Sequence, residues 1–171
     1  MIILGIHDGH DSSVALLKNG EIIYAAQEER FTSLKGDYGY PKNAISDCLR
    51  TTKIKIKEID QVALASKFTN PVLMKIKRNA QFGVSDWIKE QELYWKPKLY
   101  KKKNVSYWNI FKNNKNFKQD KIYNYKNILK AYMSKKDLEV FHKMRVESIS
   151  KFLKNEKNKI ITYLHEDCHK Y

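Results

Sequence analysis

The chain has 171 residues, enough for one ordinary domain with a hydrophobic core, and carries a formal charge of +14 from 33 Lys and Arg against 19 Asp and Glu. The basic residues are dispersed among Asn, Ile and Tyr and form no stripe, so a solvated surface is favoured over a nucleic-acid partner. No apolar run approaches the roughly 20 residues that span a bilayer, so no membrane partner is expected. Two cysteines, Cys48 and Cys168, cannot build a disulfide framework, and a cytoplasmic location is predicted.

Three strands are predicted within the first 31 residues. Residues 2–6 form a short apolar run, residues 14–17 form a second one, and residues 22–26 form a third after the strong hairpin signal Asn19-Gly20. The polar loop at residues 8–13 separates the first two runs, and we expect the functional site to lie at this loop.

The 8–13 loop contains the residue types of a polar site. Gly9 allows a bound group to approach the backbone, and Ser12 adds a hydroxyl and an amide suited to an anionic ligand. Asp8, His10 and Asp11 place two carboxyl groups and an imidazole within four residues, which are the components of a general base with an orienting partner. From spacing alone, a hydrated turn whose acids cap backbone amides ranks first.

Helices are predicted over much of the remaining chain. Pro41 suits the first turn of a helix whose apolar residues share one face: Ala44, Ile45, Cys48 and Leu49. Residues 61–66 predict a further strand. A helix is expected from Asn70 to about residue 80, and another from a cap at Ser85 to Pro97.

Residues 98–127 are rich in Lys, Asn, Tyr and Phe with little periodicity. They fit an insertion that covers the functional site, a long surface loop, or a basic aromatic segment that stacks on single-stranded nucleic acid. Ser134 and Asp137 then predict a capping box at the start of a helix that runs to about Lys154. Its mostly apolar stripe consists of Leu138, Phe141, Arg145, Ile149 and Phe152.

A histidine cluster at residues 165–169 follows a predicted strand at residues 159–164. His165 and His169 are separated by four residues, so on a helix both imidazoles would face one divalent metal. The same letters match the zinc metalloprotease pattern H-E-x-x-H, with Glu166 as general base. Because a strand precedes the cluster here, the protease interpretation ranks second.

The opening segment closely resembles the start of the carbamoyltransferase family, which includes nodulation-type and antibiotic O-carbamoyltransferases. The matching motifs occur in order at residues 5–22, at residues 28–32 with Lys35, and at residues 39–45. The resemblance is dense over roughly the first 65 residues and returns at residues 160–169.

The resemblance implies an α/β fold, namely an actin-like ATPase (ribonuclease H-like) lobe with a mixed sheet, an N-terminal three-strand meander and a helical insertion. Residues 1–66 would hold the sheet and first helix, residues 67–158 a helical, poorly matched insertion, and residues 159–171 a strand and the start of the metal-site helix. Family members are much longer, so we expect a truncated chain that lacks the C-terminal domain and is inactive alone.

The implied reaction is transfer of a carbamoyl group from a carbamoyl adenylate, made from carbamoyl phosphate and ATP, to the hydroxyl of a sugar or natural product. Asp8 would position the acceptor, and His10 would act as general base with Asp11 at its side. Lys35 would hold the adenylate and act in catalysis, with Ser12 as a further cofactor-binding residue.

The resemblance also implies a metal at His165 and His169, with Fe²⁺ favoured over Zn²⁺. Two alternatives of other classes stay open. One is a non-catalytic interaction fragment, and the other is a basic nucleic-acid-binding fragment, for which salt-dependent retention on DNA would be the discriminating observation.

Overall fold

The computed structural model describes residues 1–70, 74, 82–113, 123, 134–154 and 159–169. These residues contain a five-stranded sheet. Its strands are β1 (Ile2–His7), β2 (Ser13–Lys18), β3 (Glu21–Gln27), β4 (Gln61–Leu64) and β5 (Ile160–Thr162).

The sheet is mixed and has the order β3-β2-β1-β4-β5. β1, β2 and β3 pair antiparallel as a meander, whereas β4 pairs parallel with β1, and β5 pairs parallel with β4. The predicted α/β class and all five predicted strands are confirmed. Because β1, β4 and β5 run in one direction, the loops that follow them meet at one edge of the sheet.

The described helices are α1 (Glu29–Thr32), α2 (Lys42–Thr52), α3 (Val84–Glu90), α4 (Lys96–Tyr100), α5 (Tyr107–Phe111) and α6 (Lys135–Leu153). A π-helical turn at Gln91–Trp95 joins α3 to α4, and short 3₁₀ turns occur at Ile56–Glu58 and Asp167–His169. None of these helices is both long enough and apolar enough to cross a bilayer.

Helix α2 is fixed at its start by a carboxyl group from the end of the meander. Glu28 is fully buried, and its carboxyl oxygens accept hydrogen bonds from the backbone nitrogens of Asn43 at 3.1 Å and Ala44 at 2.8 Å. An acidic group at a helix N-terminus satisfies free N–H donors and complements the helix dipole. As predicted, the buried face of α2 includes Ala44, Ile45 and Cys48.

Helix α6 covers the same face of the sheet. Its predicted capping box is confirmed, since Ser134 Oγ accepts from the backbone nitrogen of Asp137 at 3.2 Å while Asp137 accepts from Ser134. Phe141, Ile149 and Leu153 are buried in the main core together with strand residues such as Leu4 and Leu64. The core therefore lies between one face of the sheet and α2 and α6.

Two predicted helix boundaries in the middle of the chain are wrong. Gly83, and not Ser85, precedes α3, and its backbone nitrogen donates to Asp86 at 3.1 Å. Pro97 does not end a helix but lies in the first turn of α4, directly after the π-helical turn. A proline lacks only its own N–H, and the first turn of a helix tolerates that loss.

The segment 82–113 has a small core of its own, formed by Tyr94, Tyr107 and Phe111. Most of the predicted helix at residues 70–80 and part of the aromatic segment 98–127 lie outside the described residues. The predicted division into residues 1–66, 67–158 and 159–171 stays a prediction.

Candidate active site

The 8–13 loop at the end of β1 is held by backbone hydrogen bonds to the segment after α1. The nitrogen of Gly39 donates to the Asp8 carbonyl at 3.0 Å, and the nitrogen of Ser12 donates to the Asp37 carbonyl at 2.9 Å. The nitrogen of Glu28 in turn donates to the Ser12 carbonyl at 2.8 Å. The two loops therefore form one unit at the edge of the sheet.

His10 and Asp11 form an exposed pair on this unit. His10 Nδ1 lies 2.8 Å from Asp11 Oδ2, and the His10 side chain is 64% exposed. The Tyr38 ring packs edge-to-face against the imidazole at 5.3 Å between centroids. When Nδ1 donates to the carboxylate, Nε2 is the acceptor, so the pair has the arrangement of a general base with an orienting acid.

Gly36 lies close to the His10 imidazole, where the absence of a side chain leaves space for the ring. A Cβ atom at this position would lie 3.0 Å from His10 Nε2, and Gly36 has a positive φ of 64° that other residues rarely adopt. A side chain here would strain the backbone and would require the exposed His10 ring to shift.

A cleft of about 980 Å³ opens beside this pair. The 33–38 loop forms one wall and the α3 segment forms the other. The side chains that line the cleft include His10, Asp11, Lys35, Asp37, Tyr38, Phe82, Trp87, Glu90 and Trp95. Three of the four predicted catalytic residues thus line one cavity.

Lys35 is tethered at the surface of this cleft. Its side chain is 91% exposed, and its Nζ lies 3.0 Å from Glu29 Oε1. The Gly36 backbone nitrogen donates to the other oxygen of Glu29 at 2.9 Å, and together with Lys35 it holds the pKa of that carboxyl below its usual range. Lys35 therefore presents its ammonium group to solvent, where an anionic ligand can reach it.

Asp8 lies behind the cleft and is fully buried. Arg145 Nε donates to its Oδ2 at 2.8 Å, Arg145 Nη2 donates to its Oδ1, and the Tyr123 hydroxyl donates to Oδ2 at 2.6 Å. In this structure Asp8 anchors the base of the loop. Its predicted contact with an acceptor stays a prediction.

Sequence reasoning missed the role of Arg145. Besides Asp8, its guanidinium donates to backbone carbonyls at the end of β4, those of Ser66 at 3.0 Å and Lys67 at 3.3 Å. The signal was present, because Arg145 interrupts an apolar stripe between Phe141 and Ile149. A charge on a buried helix face requires an oppositely charged partner.

Ser12 is also buried, and within the described part of the chain its hydroxyl has no hydrogen-bond partner. The residue contacts the 36–39 segment through its backbone. Its predicted role in cofactor binding is therefore still a prediction.

The predicted metal cluster begins on the turn after β5. His165 Nδ1 lies 3.2 Å from the Ser66 hydroxyl, and the Cys168 nitrogen donates to the His165 carbonyl at 3.1 Å. The backbone of residues 165–169 forms a turn and one short 3₁₀ segment here, unlike the helix interior that H-E-x-x-H proteases require. The side chain of His169 lies outside the described residues.

The described residues supply one imidazole, that of His165, to the predicted metal site. A hydrogen-bonding group on one imidazole nitrogen orients the other nitrogen toward a metal, and Ser66 supplies such a group to His165. Within the described residues, no three His, Cys, Asp or Glu side chains converge as a metal-ligand set, either at His165 or elsewhere.

Comparison with known proteins decides the family. The sequence profile named Carbamoyltransferase N-terminus matches residues 2–170. The chain belongs to this carbamoyltransferase family. The family predicted from the opening motifs is therefore confirmed.

Curated relatives of this carbamoyltransferase family member match between 34% and 39% of the chain. An uncharacterized protein of Synechocystis sp. is 45% identical over a segment that covers 34% of the chain and 9% of that relative. An uncharacterized protein of Methanocaldococcus jannaschii is 42% identical over a segment that covers 39% of the chain and 13% of that relative. The nodulation protein NolNO of Sinorhizobium fredii is 29% identical over 39% of the chain and 10% of its own length. The matched segment is thus roughly a tenth of each relative.

Proposed function

We propose that the chain takes part in carbamoyl transfer to an acceptor hydroxyl, with the cleft beside His10 as the transfer site. The observation that carries the proposal is the exposed His10–Asp11 pair at a cavity edge in a carbamoyltransferase family member. An exposed imidazole with an orienting carboxyl group is suited to take a proton from a hydroxyl.

The carbamoyl donor in this proposal is a carbamoyl adenylate, made from carbamoyl phosphate and ATP. The acceptor oxygen bonds to the carbamoyl carbon while its proton passes to His10 Nε2. The bond from that carbon to the phosphate oxygen breaks, and AMP leaves with the electron pair. Asp11 stabilises the imidazolium that forms, because a carboxylate at 2.8 Å favours the charged ring.

Lys35 contributes positive charge at the surface of the same cleft. Its ammonium group would move from Glu29 to the adenylate phosphate, which is also anionic. A fixed cation near the leaving phosphate stabilises the charge that develops as the bond breaks. Ser12 does not line this cleft, and its role in cofactor binding stays a prediction.

His165 and His169 would hold a divalent metal, Fe²⁺ or Zn²⁺. When bound, such a metal supplies Lewis-acid polarisation of an oxygen. The protein's own contribution is the Ser66 hydroxyl, which orients the His165 ring from the end of β4.

We also propose that the lobe is of the actin-like ATPase type. The strand order β3-β2-β1-β4-β5, with an antiparallel meander extended by two parallel strands, supports this assignment. The relatives are far longer than the matched segment, and we assign formation of the adenylate to a further domain of the whole protein.

The proposal is tested by binding and by transfer. Calorimetric titration with 5′-O-(N-carbamoylsulfamoyl)adenosine, a stable analogue whose N-acylsulfamate is anionic like the adenylate phosphate, should show binding that Lys35→Ala weakens. Lys57→Ala, which removes an exposed lysine outside the cleft, is the matched control. With pre-formed carbamoyl adenylate and a hydroxyl acceptor, His10→Asn should abolish carbamoylation. Carbamoylation at the parent rate by His10→Asn would refute the proposed base.

A further inference from the structure

His7, the last residue of β1, forms a hydrogen bond to the backbone of the loop that follows it. Its Nε2 atom lies 2.8 Å from the carbonyl oxygen of His10. A carbonyl oxygen can only accept, so His7 donates through Nε2–H, and the Nδ1 atom of the neutral ring is then unprotonated. The His7 side chain is thus held at the peptide that follows His10.

Gly9 leaves the space in which the His7 ring lies. A Cβ atom at this position would lie 2.9 Å from His7 Cε1 and 3.0 Å from His7 Nε2. The sequence predicts room for a bound group at Gly9, but in the structure a ring of the protein itself lies there. Gly9 does not have a left-handed φ, so the loop requires the missing side chain here and not the conformational freedom of glycine.

The peptide that His7 contacts joins the two members of the candidate base pair. Its carbonyl belongs to His10, and its amide nitrogen belongs to Asp11, whose φ is 57°. Left-handed backbone is uncommon for a residue other than glycine, so this turn depends on contacts that fix it. If the peptide rotated, the Asp11 carboxyl group would leave its position 2.8 Å from His10 Nδ1.

The direction of the His7 side chain separates this contact from the main core. Side chains alternate along a strand, and Ile6 is buried in the main core, so its neighbour His7 points to the opposite face of the sheet. On that face His7 lines a cavity of about 600 Å³, where a different side chain has room. Replacing His7 should therefore change the loop and leave the core intact.

We infer that His7 is a positioning residue for the His10–Asp11 pair. The inference rests on the proposed transfer function and adds a residue that acts on the base through the backbone. By fixing the peptide between His10 and Asp11, His7 keeps the carboxyl group at His10 Nδ1. His10 Nε2 is then the atom that accepts the proton of the acceptor hydroxyl.

Nitrogen NMR of the imidazole rings tests the positioning without any turnover. His10→Asn identifies the His10 signals among the five histidines of the chain. In mildly alkaline buffer the parent should show His7 protonated on Nε2 and His10 protonated on Nδ1. In His7→Val, His10 should lose its preference for the Nδ1–H form. His7→Gln, whose amide can donate to the same carbonyl, should restore that preference.

Transfer kinetics test the consequence for the base. With pre-formed carbamoyl adenylate, His7→Val should lower kcat about three- to tenfold, the effect of one lost hydrogen bond, while the KM for the acceptor stays unchanged. Gly9→Ala should have the same effect, because the added Cβ displaces the His7 ring, and combining it with His7→Val should add nothing. Gly5→Ala is the matched control on β1, since a Cβ there would lie 3.6 Å from its nearest neighbour and should leave kcat and KM unchanged.

Four results would overturn the inference: an unchanged His10 tautomer in His7→Val, a parent His7 protonated on Nδ1, no recovery in His7→Gln, or additive effects of the His7 and Gly9 substitutions. If His7→Val does not fold, Gly9→Ala still decides, because it moves the ring and retains His7.

The positioning role and the proposed function can fail separately. Carbamoylation at the parent rate by His10→Asn, together with a His10 tautomer that depends on His7, would refute the proposed base and leave the positioning role standing. A tautomer that is independent of His7, together with activity that is lost in His10→Asn, would refute the positioning role and leave the transfer function standing.

Discussion

Asp8 and Arg145 lie 137 residues apart in the sequence and form a fully buried, two-point ion pair. Burial alone would lower the pKa of the guanidinium, but the charge and hydrogen bonds of Asp8, together with Tyr123, outweigh it and raise that pKa, so the guanidinium stays charged. It joins the loop that carries His10 to α6 and, through the Ser66 carbonyl, to the turn that carries His165.

Arg145→Met should destabilise the fold strongly. The variant leaves Asp8 charged and buried without its cationic partner, and breaking a buried pair in this way costs about 3–5 kcal/mol. Urea unfolding followed by circular dichroism would measure the loss. Arg50→Met, which removes the more exposed partner of Asp47, is the control and should leave the urea midpoint nearly unchanged.

The double variant Asp8→Asn with Arg145→Met distinguishes an uncompensated charge from simple loss of packing. Removing both charges should recover roughly 1–2 kcal/mol relative to Arg145→Met alone. A double variant that is less stable than Arg145→Met would contradict the ion-pair explanation.

Glu28→Ala should loosen the start of α2. The substitution removes the acceptor for the Asn43 and Ala44 amides and leaves a small void, which should cost about 1–3 kcal/mol. Hydrogen exchange should accelerate at these two amides first. Glu28→Gln retains one acceptor oxygen and should lose less, and equal losses for both variants would indicate that hydrogen bonding at this cap is unimportant.

The half-buried imidazole of His142 should make the stability of the fold depend on pH. Burial first, and then the charges of Arg145 and Lys67, lower the pKa of His142 from 6.5 to about 4. Between these values the unfolded chain binds the proton and the folded chain does not, so stability should fall as pH decreases from 6.5 toward 4. His142→Gln should remove this component. The urea midpoints of the parent and of His142→Gln should be compared from pH 7 to pH 5. A difference between the two midpoints that does not change with pH would refute the predicted role of His142.

The metal prediction concerns His165 and His169. Two imidazoles make half a site, so Fe²⁺ or Zn²⁺ should bind weakly by calorimetry, and acid should weaken the binding because protons compete with the metal for the ring nitrogens. His165→Ala should abolish the binding, whereas Glu166→Gln should leave it nearly intact. Tight binding by the parent chain, or peptide hydrolysis that Glu166→Gln removes, would favour the metalloprotease alternative.

Local patterns predicted the regular elements well. Short apolar runs and the Asn19-Gly20 signal located the meander, and the Ser134–Asp137 capping box located α6. Each of these signals is contained within a few residues, so the sequence displays it directly. The π-helical turn before α4 has no such local signal. For that reason the sequence predicts a helix end at Pro97, whereas the helical segment continues through it.

The site was less predictable because its contacts are distant in sequence. His10 and Asp11 are adjacent, and their pairing follows from the loop itself. The partner of Asp8 is 137 residues away, and the cleft residues Trp87 and Trp95 come from a predicted helix whose position relative to His10 no local pattern indicates. Only the strand order reveals which distant segments meet at one edge of the sheet.

The separation between Asp8 and Arg145 also bears on the order of folding. The contacts from Glu28 to Asn43 and Ala44 span only 15 and 16 residues, so the meander and α2 can assemble while the chain is still being synthesised. Asp8 must wait for α6, and until Arg145 arrives its carboxylate is more stable in water than in the core. The loop that carries His10 should therefore be among the last parts to become ordered, and pulsed hydrogen exchange during refolding would detect the delay at Gly39, whose amide binds the Asp8 carbonyl.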